Sequence, residues 1–236
     1  MITVLLTAAG SGTRMHQDIP KQFIHVDNKP VIIHTMEAFQ KHPAIDNIVV
    51  VTLDAWTEVL WAYAKQFNIT KLKWVVPGGA TGQESIACGL EAVREAMSDD
   101  DVIMIHDGNR PLVSSEIISD SIATYKHYGS AVATIPCTEV VFESDDGESS
   151  KVSTPRERLF RTQTPHTYRY GALLDAHKRA KEQGIESTAA SCMLMQQLGE
   201  MTYFSKGSEE NLKITTLDDL KIFKALLHTR QEDWLK

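Results

Sequence analysis

Cysteine is scarce in this sequence: Cys88, Cys137 and Cys192 are the only three among 236 residues. Their odd number and wide spacing argue against a disulfide framework and favour reduced thiols, as in a cytoplasmic protein. Neither a C-x-x-C nor an H-E-x-x-H motif occurs, so the sequence gives no sign of the usual zinc sites.

Long apolar runs and an excess of positive charge are missing too. The longest apolar runs are as short as strands, which argues against a transmembrane helix. The chain enters its first predicted strand without a basic and apolar leader, so we expect no secretory signal and no membrane partner. A net charge of −7 argues against a nucleic-acid partner, because binding a phosphate backbone requires a basic face. A small phosphate ligand is compatible with this charge, since two local cations suffice.

What the sequence does contain is a regular alternation of strand and helix patterns. Apolar or β-branched runs (2–6, 48–53, 73–76, 102–105 and 131–135) alternate with helical periodicity (30–40, 55–67, 81–97 and 115–128), and three helices (170–183, 191–198 and 216–227) and a strand (201–204) follow. This order predicts an α/β fold: a Rossmann-like, mostly parallel sheet with helices on both faces, in a single domain over residues 1–236. Its ligand site should lie beyond the carboxyl ends of the strands.

A glycine-rich turn, T-A-A-G-S-G-T-R-M at residues 7–15, follows the first predicted strand. The backbone amides of its small residues can turn inward towards an anion, and Arg14 and Lys21 bring two cations to the same loop. The turn lacks the spacing of a P-loop and the third glycine of a dinucleotide-binding loop. From the residues alone, a tight turn without a ligand remains the alternative.

Two later polar segments follow predicted strands and should meet this turn at the same edge of the sheet. Ser85 lies in the first turn of the helix after Gly78 and Gly79, and that helix end either faces a ligand or carries an ordinary cap. Asp107 stands at the tip of the next strand. It is either a cap for the following segment or a metal-phosphate ligand, and the nearby Arg110 favours the second interpretation.

Residues 137–155 interrupt the alternation. An extended segment at 140–143, a D-D-G-E turn signal at 145–148 and a second extended segment at 151–154 predict a β-hairpin. A polar hairpin has little to bury by itself, and it becomes stable when it packs on another subunit. We therefore expect an arm, inserted within the domain, through which the chain forms a homodimer.

The glycine turn together with P-K-Q at 20–22 resembles the signature of nucleotidyltransferases that join an NTP to a sugar or polyol phosphate. Four further matches follow in the family's order: P-G-G at 77–79, H-D-x-x-R-P at 106–111, T-P at 164–165 and N-x-K-I-T at 211–215. These five matches span nearly the whole chain. They resemble the cytidylyltransferases that act on 2-C-methyl-D-erythritol 4-phosphate or ribitol 5-phosphate.

The resemblance implies the nucleotidyltransferase fold and the transfer of CMP from CTP to a polyol phosphate, with release of pyrophosphate and with Mg²⁺ as a cofactor held by Asp107. It assigns catalysis to Arg14, Lys21 and Lys213. The nucleotide-binding residues that it implies are Ala8, Ala9, Gly10, Ser11, Gly12, Thr13, Gly79, Ser85 and Asp107. The implied acceptor-binding residues are Asp107, Arg110, Thr164 and Lys213, together with Arg156 from the arm of a second subunit.

Several positions depart from the family's usual residues, chiefly where the acceptor would bind: Gly82, Gly108, Asn109, Val140, Ala189 and Ala190. These departures leave open which polyol phosphate is the acceptor. They also leave two alternatives: a nucleotidyltransferase for another sugar phosphate, using UTP or GTP, and a catalytically inactive homologue that only binds a nucleotide or a partner.

Overall fold

The computed structural model describes residues 1–10 and 19–231. In chain order, the elements are β1 (Ile2–Ala8), β2 (His25–Val26), β3 (Lys29–Pro30), α1 (Val31–Lys41), β4 (Asn47–Thr52), α2 (Thr57–Gln66), β5 (Leu72–Pro77), α3 (Gly82–Ala92), β6 (Val102–Asp107), α4 (Ser115–Tyr128), β7 (Ser130–Pro136), β8 (Val141–Glu143), β9 (Val152–Thr154), β10 (Phe160–Arg169), α5 (Tyr170–Glu182), α6 (Ser191–Gln197), β11 (Phe204–Lys206) and α7 (Leu217–Gln231).

Seven strands form the central sheet, in the order β11-β7-β10-β6-β1-β4-β5. Every neighbouring pair is parallel except the two that β10 makes with β6 and β7. This confirms the α/β fold with a mostly parallel sheet. Because β1 lies between β4 and β6, the polar segment that follows it emerges near the middle of the sheet edge.

The core lies on both faces of this sheet. Leu6 packs on one face with Phe39 of α1, and Leu5 packs on the other with Leu90 of α3. Successive side chains of a strand point to opposite faces, so a strand covered on both sides is apolar throughout. The run of buried residues in β1 therefore follows from the helices above and below it, and this run made the strand predictable.

The sequence analysis assigned no element to residues 160–169, where the structure has the ten-residue strand β10. Its residues 160–162 are exposed, and its pairing with β7 is irregular between Thr162 and His166. Arginine, glutamine and proline in this stretch do not produce a strand pattern, although the strand pairs with two neighbours. The strand predicted at 201–204 is also displaced, since β11 covers Phe204–Lys206.

The predicted hairpin is present as an antiparallel pair, β8 and β9, with Phe142 opposite Ser153. All residues from 138 to 153 are exposed in the single chain. The arm thus extends from the sheet with its apolar side chains uncovered.

Within residues 1–10 and 19–231, no helix has the length and apolar character required to cross a membrane.

Candidate functional site

The parallel strands end together at one edge of the sheet. In the register, Ala8 of β1 lies beside Thr52 of β4, which lies beside Pro77 of β5, and Thr7 lies beside Asp107 of β6. The segments that follow these strands therefore surround a common cleft of about 690 Å³. Its wall includes the predicted residues Ala8, Ala9, Gly10, Lys21, Gly79, Ser85, Asp107, Arg110, Thr164 and Lys213.

Of the other five predicted residues, four lie outside the described residues, and one is described but does not line the cleft. Ser11, Gly12, Thr13 and Arg14 lie outside the described residues. Arg156 lies just after the arm, where its Nη1 donates to the carbonyl oxygen of Thr138 at 3.2 Å. The structure therefore brings together ten of the predicted residues and places Arg156 elsewhere on the same chain.

A cluster of three charges forms one side of the cleft. The Oδ2 atom of Asp107 accepts a hydrogen bond from Nε of Arg110 at 2.9 Å, and its Oδ1 accepts one from Nζ of Lys213 at 2.9 Å. Burial by itself would raise the pKa of Asp107, but the positive charges of Lys213 and Arg110 outweigh it and hold the pKa well below its usual range. The carboxylate is thus ionised, and the cluster carries one net positive charge towards the cleft.

The start of the glycine turn and the P-G-G segment approach each other closely just beyond the end of β1. A Cβ atom at Gly78 would lie 2.4 Å from Cβ of Ala9 and 2.8 Å from Oγ of Ser85. Only glycine allows this approach. The approach also brings Ser85, which is buried and lines the cleft, next to the end of β1.

The first turn of α3 carries an ordinary cap. The hydroxyl of Thr81 accepts from the amide of Glu84 at 3.1 Å, and the carboxylate of Glu84 accepts from the amide of Ala80 at 2.7 Å. Thr81 is thus a side-chain N-cap, and Glu84 satisfies the amide of the residue before it. The helix end therefore carries a cap, and Ser85 in its first turn also lines the cleft.

Sequence reasoning assigned no role to Gln22, which follows Lys21 in the P-K-Q motif. Its side chain is 2 % exposed, and its Nε2 donates to the carbonyl oxygens of Ala8, at 2.5 Å, and Gly10, at 3.3 Å. One buried amide therefore ties the start of the glycine turn to the segment that carries Lys21. The P-K-Q motif includes Gln22, but a side-chain contact across 12 to 14 residues leaves no local pattern from which its role could be predicted.

Asn211 of the N-x-K-I-T motif is another buried amide that the sequence analysis left without a role. It is fully buried, and its Nδ2 donates to the carbonyl oxygen of Thr164 at 2.8 Å. The main-chain carbonyl oxygen of Asn211 accepts a hydrogen bond from Nη1 of Arg110 at 2.6 Å. Asn211 therefore connects the segment of Lys213 to β10 and to the loop after β6.

The floor of the cleft is polar but uncharged. Burial lowers the pKa of both His166 and His177 to about 4, so both imidazoles are neutral at neutral pH. Nδ1 of His166 is hydrogen-bonded to Oγ of Ser191 at 2.8 Å. The cleft is thus lined both by cationic side chains, which suit phosphate groups, and by neutral histidines.

Of the six positions that depart from the family's usual residues, four line the cleft, one lies beside β1 and one lies on the arm. Gly82, Asn109, Ala189 and Ala190 line the cleft. Gly108 packs against the end of β1, where a Cβ atom would lie 2.7 Å from Cδ1 of Ile32. Val140 lies on the arm and is 68 % exposed.

Known proteins of one family resemble this chain over almost its whole length. The family model described as 2-C-methyl-D-erythritol 4-phosphate cytidylyltransferase matches residues 2–229. A ribitol-5-phosphate cytidylyltransferase of Lacticaseibacillus paracasei is 40 % identical over 233 residues, which cover 98 % of this chain and all of that protein. A 2-C-methyl-D-erythritol 4-phosphate cytidylyltransferase of Clostridium botulinum is 37 % identical over 227 residues, which cover 95 % of this chain and 96 % of that protein.

Two solved structures share the fold. The 4-diphosphocytidyl-2C-methyl-D-erythritol synthase of Anaerococcus prevotii superimposes with a TM-score of 0.81 at 22 % identity, over 96 % of each chain. The 2-C-methyl-D-erythritol 4-phosphate cytidylyltransferase of Francisella tularensis superimposes with a TM-score of 0.77 at 26 % identity, over 95 % of this chain and 98 % of that one.

Proposed function

The chain belongs to the 2-C-methyl-D-erythritol 4-phosphate cytidylyltransferase family, and from this premise we propose that it transfers CMP from CTP to ribitol 5-phosphate and releases pyrophosphate. The observation that carries the proposal is the cationic wall of the cleft. Arg110 and Lys213 meet at Asp107, and Lys21 lines the same cleft beside the glycine turn. Two phosphorylated substrates need such a concentration of positive charge.

The reaction asks for positioning and charge neutralisation more than for a nucleophilic side chain. An oxygen of the acceptor phosphate attacks the α-phosphorus of CTP. A new P–O bond forms while the bond from the α-phosphorus to the bridging oxygen breaks, and pyrophosphate leaves with that oxygen and its electron pair. The attacking phosphate is already an anion, so no general base is needed.

Each wall of the cleft then has a role. The backbone of Ala8, Ala9 and Gly10 holds the triphosphate beside Lys21. Arg14 of the same sequence motif, which lies outside the described residues, is assigned to the triphosphate as well. Gly79 and Ser85 contact the base. Asp107, Arg110, Thr164 and Lys213 hold the acceptor, and Lys213 also stabilises the charge that develops on the α-phosphate.

Mg²⁺ fits this site as an ion brought mainly by the triphosphate. A carboxylate has about four lone-pair sites, and Asp107 uses two of them for Arg110 and Lys213. It can therefore offer Mg²⁺ one oxygen, and Mg²⁺ sites commonly combine one or two carboxylates with substrate phosphates and water. When bound, the ion neutralises charge on the phosphates. Among the described residues no cluster of three acidic, histidine or cysteine side chains offers an alternative metal site.

The choice of acceptor rests on the relatives. Ribitol-5-phosphate cytidylyltransferases from three genera are 39–40 % identical to this chain, while the 2-C-methyl-D-erythritol 4-phosphate cytidylyltransferases of Clostridium botulinum are 36–37 % identical. The second polyol phosphate is therefore the competing acceptor.

The three cysteines are free thiols, which supports our proposal that the enzyme acts in the cytoplasm.

We also propose that the chain works as a homodimer formed through the arm. Val140, Phe142 and Val152 are 68, 66 and 53 % exposed in the single chain. Large apolar side chains exposed this far are typical of an interface. In such a dimer Arg156, which lies beside the arm and outside its own cleft, would reach the acceptor phosphate in the cleft of the second subunit.

The proposal is tested with the purified protein, CTP and Mg²⁺, adding ribitol 5-phosphate or 2-C-methyl-D-erythritol 4-phosphate in separate reactions. Pyrophosphate release and the CDP-polyol product are measured, and ATP, GTP and UTP replace CTP in parallel reactions. We expect the highest kcat/KM with CTP and ribitol 5-phosphate. A higher kcat/KM for 2-C-methyl-D-erythritol 4-phosphate would assign that compound as the acceptor instead. No turnover with either acceptor would refute the proposed function.

A further inference from the structure

The segment that carries Lys213 has no regular secondary structure, since residues 207–216 lie between β11 and α7 outside any helix or strand. Nevertheless Nζ of Lys213 is held 2.9 Å from Asp107. A lysine side chain has a long flexible stem whose fixation costs rotamer entropy. Its position in the cleft therefore depends on what holds the backbone on either side of it.

The backbone is held firmly on the amino-terminal side by Asn211, which is bonded to Thr164 and Arg110. On the carboxyl-terminal side, Ile214 is held by both polar groups of its main chain. Its amide donates to the carbonyl oxygen of Asn109 at 2.9 Å, and its carbonyl oxygen accepts from the side-chain Nδ2 of the same Asn109. The side chain of Ile214 is fully buried beside Leu112 and Phe223.

Asn109 follows Asp107, the last residue of β6, by two positions and precedes Arg110. This short segment supplies the carboxylate that binds Nζ of Lys213, and through Asn109 it also fixes the backbone next to Lys213. Both ends of the contact between Lys213 and Asp107 are therefore held by residues 107–109. Asn109 is 5 % exposed, so its side-chain hydrogen bond to Ile214 is shielded from water.

We propose that Asn109 is a positioning residue for Lys213, acting through the side-chain hydrogen bond to Ile214. This inference rests on the proposed function, because it assigns Asn109 to the step that Lys213 assists. On this view the departure at position 109 is a working part of the site. It does not mark a loss of activity.

The test is a double-mutant cycle between Asn109 and Lys213, measured as kcat with CTP and ribitol 5-phosphate. Asn109→Leu keeps approximately the volume of the side chain and removes the hydrogen bond, whereas Asn109→Ala also removes volume. We expect both to lower kcat about tenfold, the effect of one hydrogen bond lost in positioning, with little change in the KM for CTP. In the background of Lys213→Ala, either change should lower kcat less than twofold, because the group being positioned is gone.

The matched control is Ser121→Ala, which removes the buried hydrogen bond of 2.7 Å between Ser121 and Thr167 away from the cleft. Its effect on kcat should be the same with and without Lys213. Hydrogen exchange gives a second measurement without substrate: Asn109→Leu should speed exchange in residues 208–216 and leave β1 protected.

Several outcomes would overturn the proposal. Equal losses from Asn109→Leu in both backgrounds would show a general structural role, and wild-type kcat for that variant would show that the bond is dispensable. Unchanged exchange in residues 208–216 would remove the physical basis. If the wild-type protein turned over no acceptor, the proposed function would fail first and this inference with it, so the two failures are distinguished by the wild-type assay.

Discussion

Asp107 and Lys213 lie 106 positions apart in the sequence and meet in an ion pair of 2.9 Å between Oδ1 and Nζ. Lys213 is 42 % exposed, and ion pairs near the surface contribute little to stability. On the proposed function, Asp107 holds the lysine and Arg110 at the wall of the cleft, where an incoming phosphate would meet both cations.

Replacing Lys213 should impair the reaction without unfolding the protein. Lys213→Ala removes a positive charge beside the reacting phosphates, and we expect kcat/KM for the acceptor to fall by roughly 10²-fold or more. Lys213→Arg should retain part of the activity, because it keeps the charge with a different geometry. The assay is pyrophosphate release, and thermal unfolding should change by only a few degrees.

Lys206 provides the matched control for that experiment. It is an exposed lysine on β11, and its side chain does not line the cleft. Lys206→Ala removes the same charge from the protein, so the two variants separate a local effect from one of net charge. Equal activity of the two variants would contradict the role given to Lys213.

Asp107→Asn tests the magnesium proposal. The amide keeps the size of the side chain but loses the charge that Mg²⁺ requires, so we expect the Mg²⁺ concentration for half-maximal rate to rise about tenfold. Removal of the metal with EDTA should abolish turnover, and added Mg²⁺ should restore it. The control is Asp175→Asn, which removes a carboxylate from an exposed position on α5. An unchanged Mg²⁺ dependence for Asp107→Asn would remove Asp107 from the metal site.

The sequence was sufficient to predict the elements whose contacts are local or whose residues are completely buried. Strands β1, β4 and β6 carry continuous apolar runs, and the ends of these strands placed Asp107 correctly at the cleft. In contrast, β10 was missed because its first three residues are exposed and its pairing with β7 is irregular. The contacts of Gln22 and Asn109 were not predicted for a different reason. Each side chain donates to a main-chain carbonyl, across 14 and 105 residues respectively, and such a contact leaves no pattern in the sequence.

The arm offers a direct test of the proposed dimer. Phe142→Asp places a charge on an apolar side chain of the hairpin, which would be costly to bury at an interface. We expect sedimentation velocity to show a shift from dimer to monomer at micromolar concentration. Activity should fall together with the dimer, because Arg156 would no longer reach the second cleft.

Ile222 gives the corresponding control, since it is 51 % exposed on α7, away from the arm. Ile222→Asp introduces the same charge at an exposed apolar position and should leave the oligomeric state unchanged. A mixture of Arg156→Ala and Lys213→Ala protomers adds a further measurement: heterodimers with shared sites recover one intact cleft. A monomeric wild-type protein would refute the dimer outright.

The buried histidines predict how stability depends on pH. Burial lowers the pKa of His106 to about 3 and that of His166 and His177 to about 4, from an ordinary value of 6.5. Between pH 6.5 and pH 4 the unfolded chain therefore binds more protons than the folded one, so the free energy of unfolding decreases as the pH falls. Each such histidine contributes a loss of about 2 kcal/mol between pH 7 and pH 5. His177→Gln should remove one share of this loss, measured by urea unfolding at the two pH values. A stability that stays constant from pH 7 to pH 5 in the wild-type protein would show that these imidazoles are not held neutral by the fold.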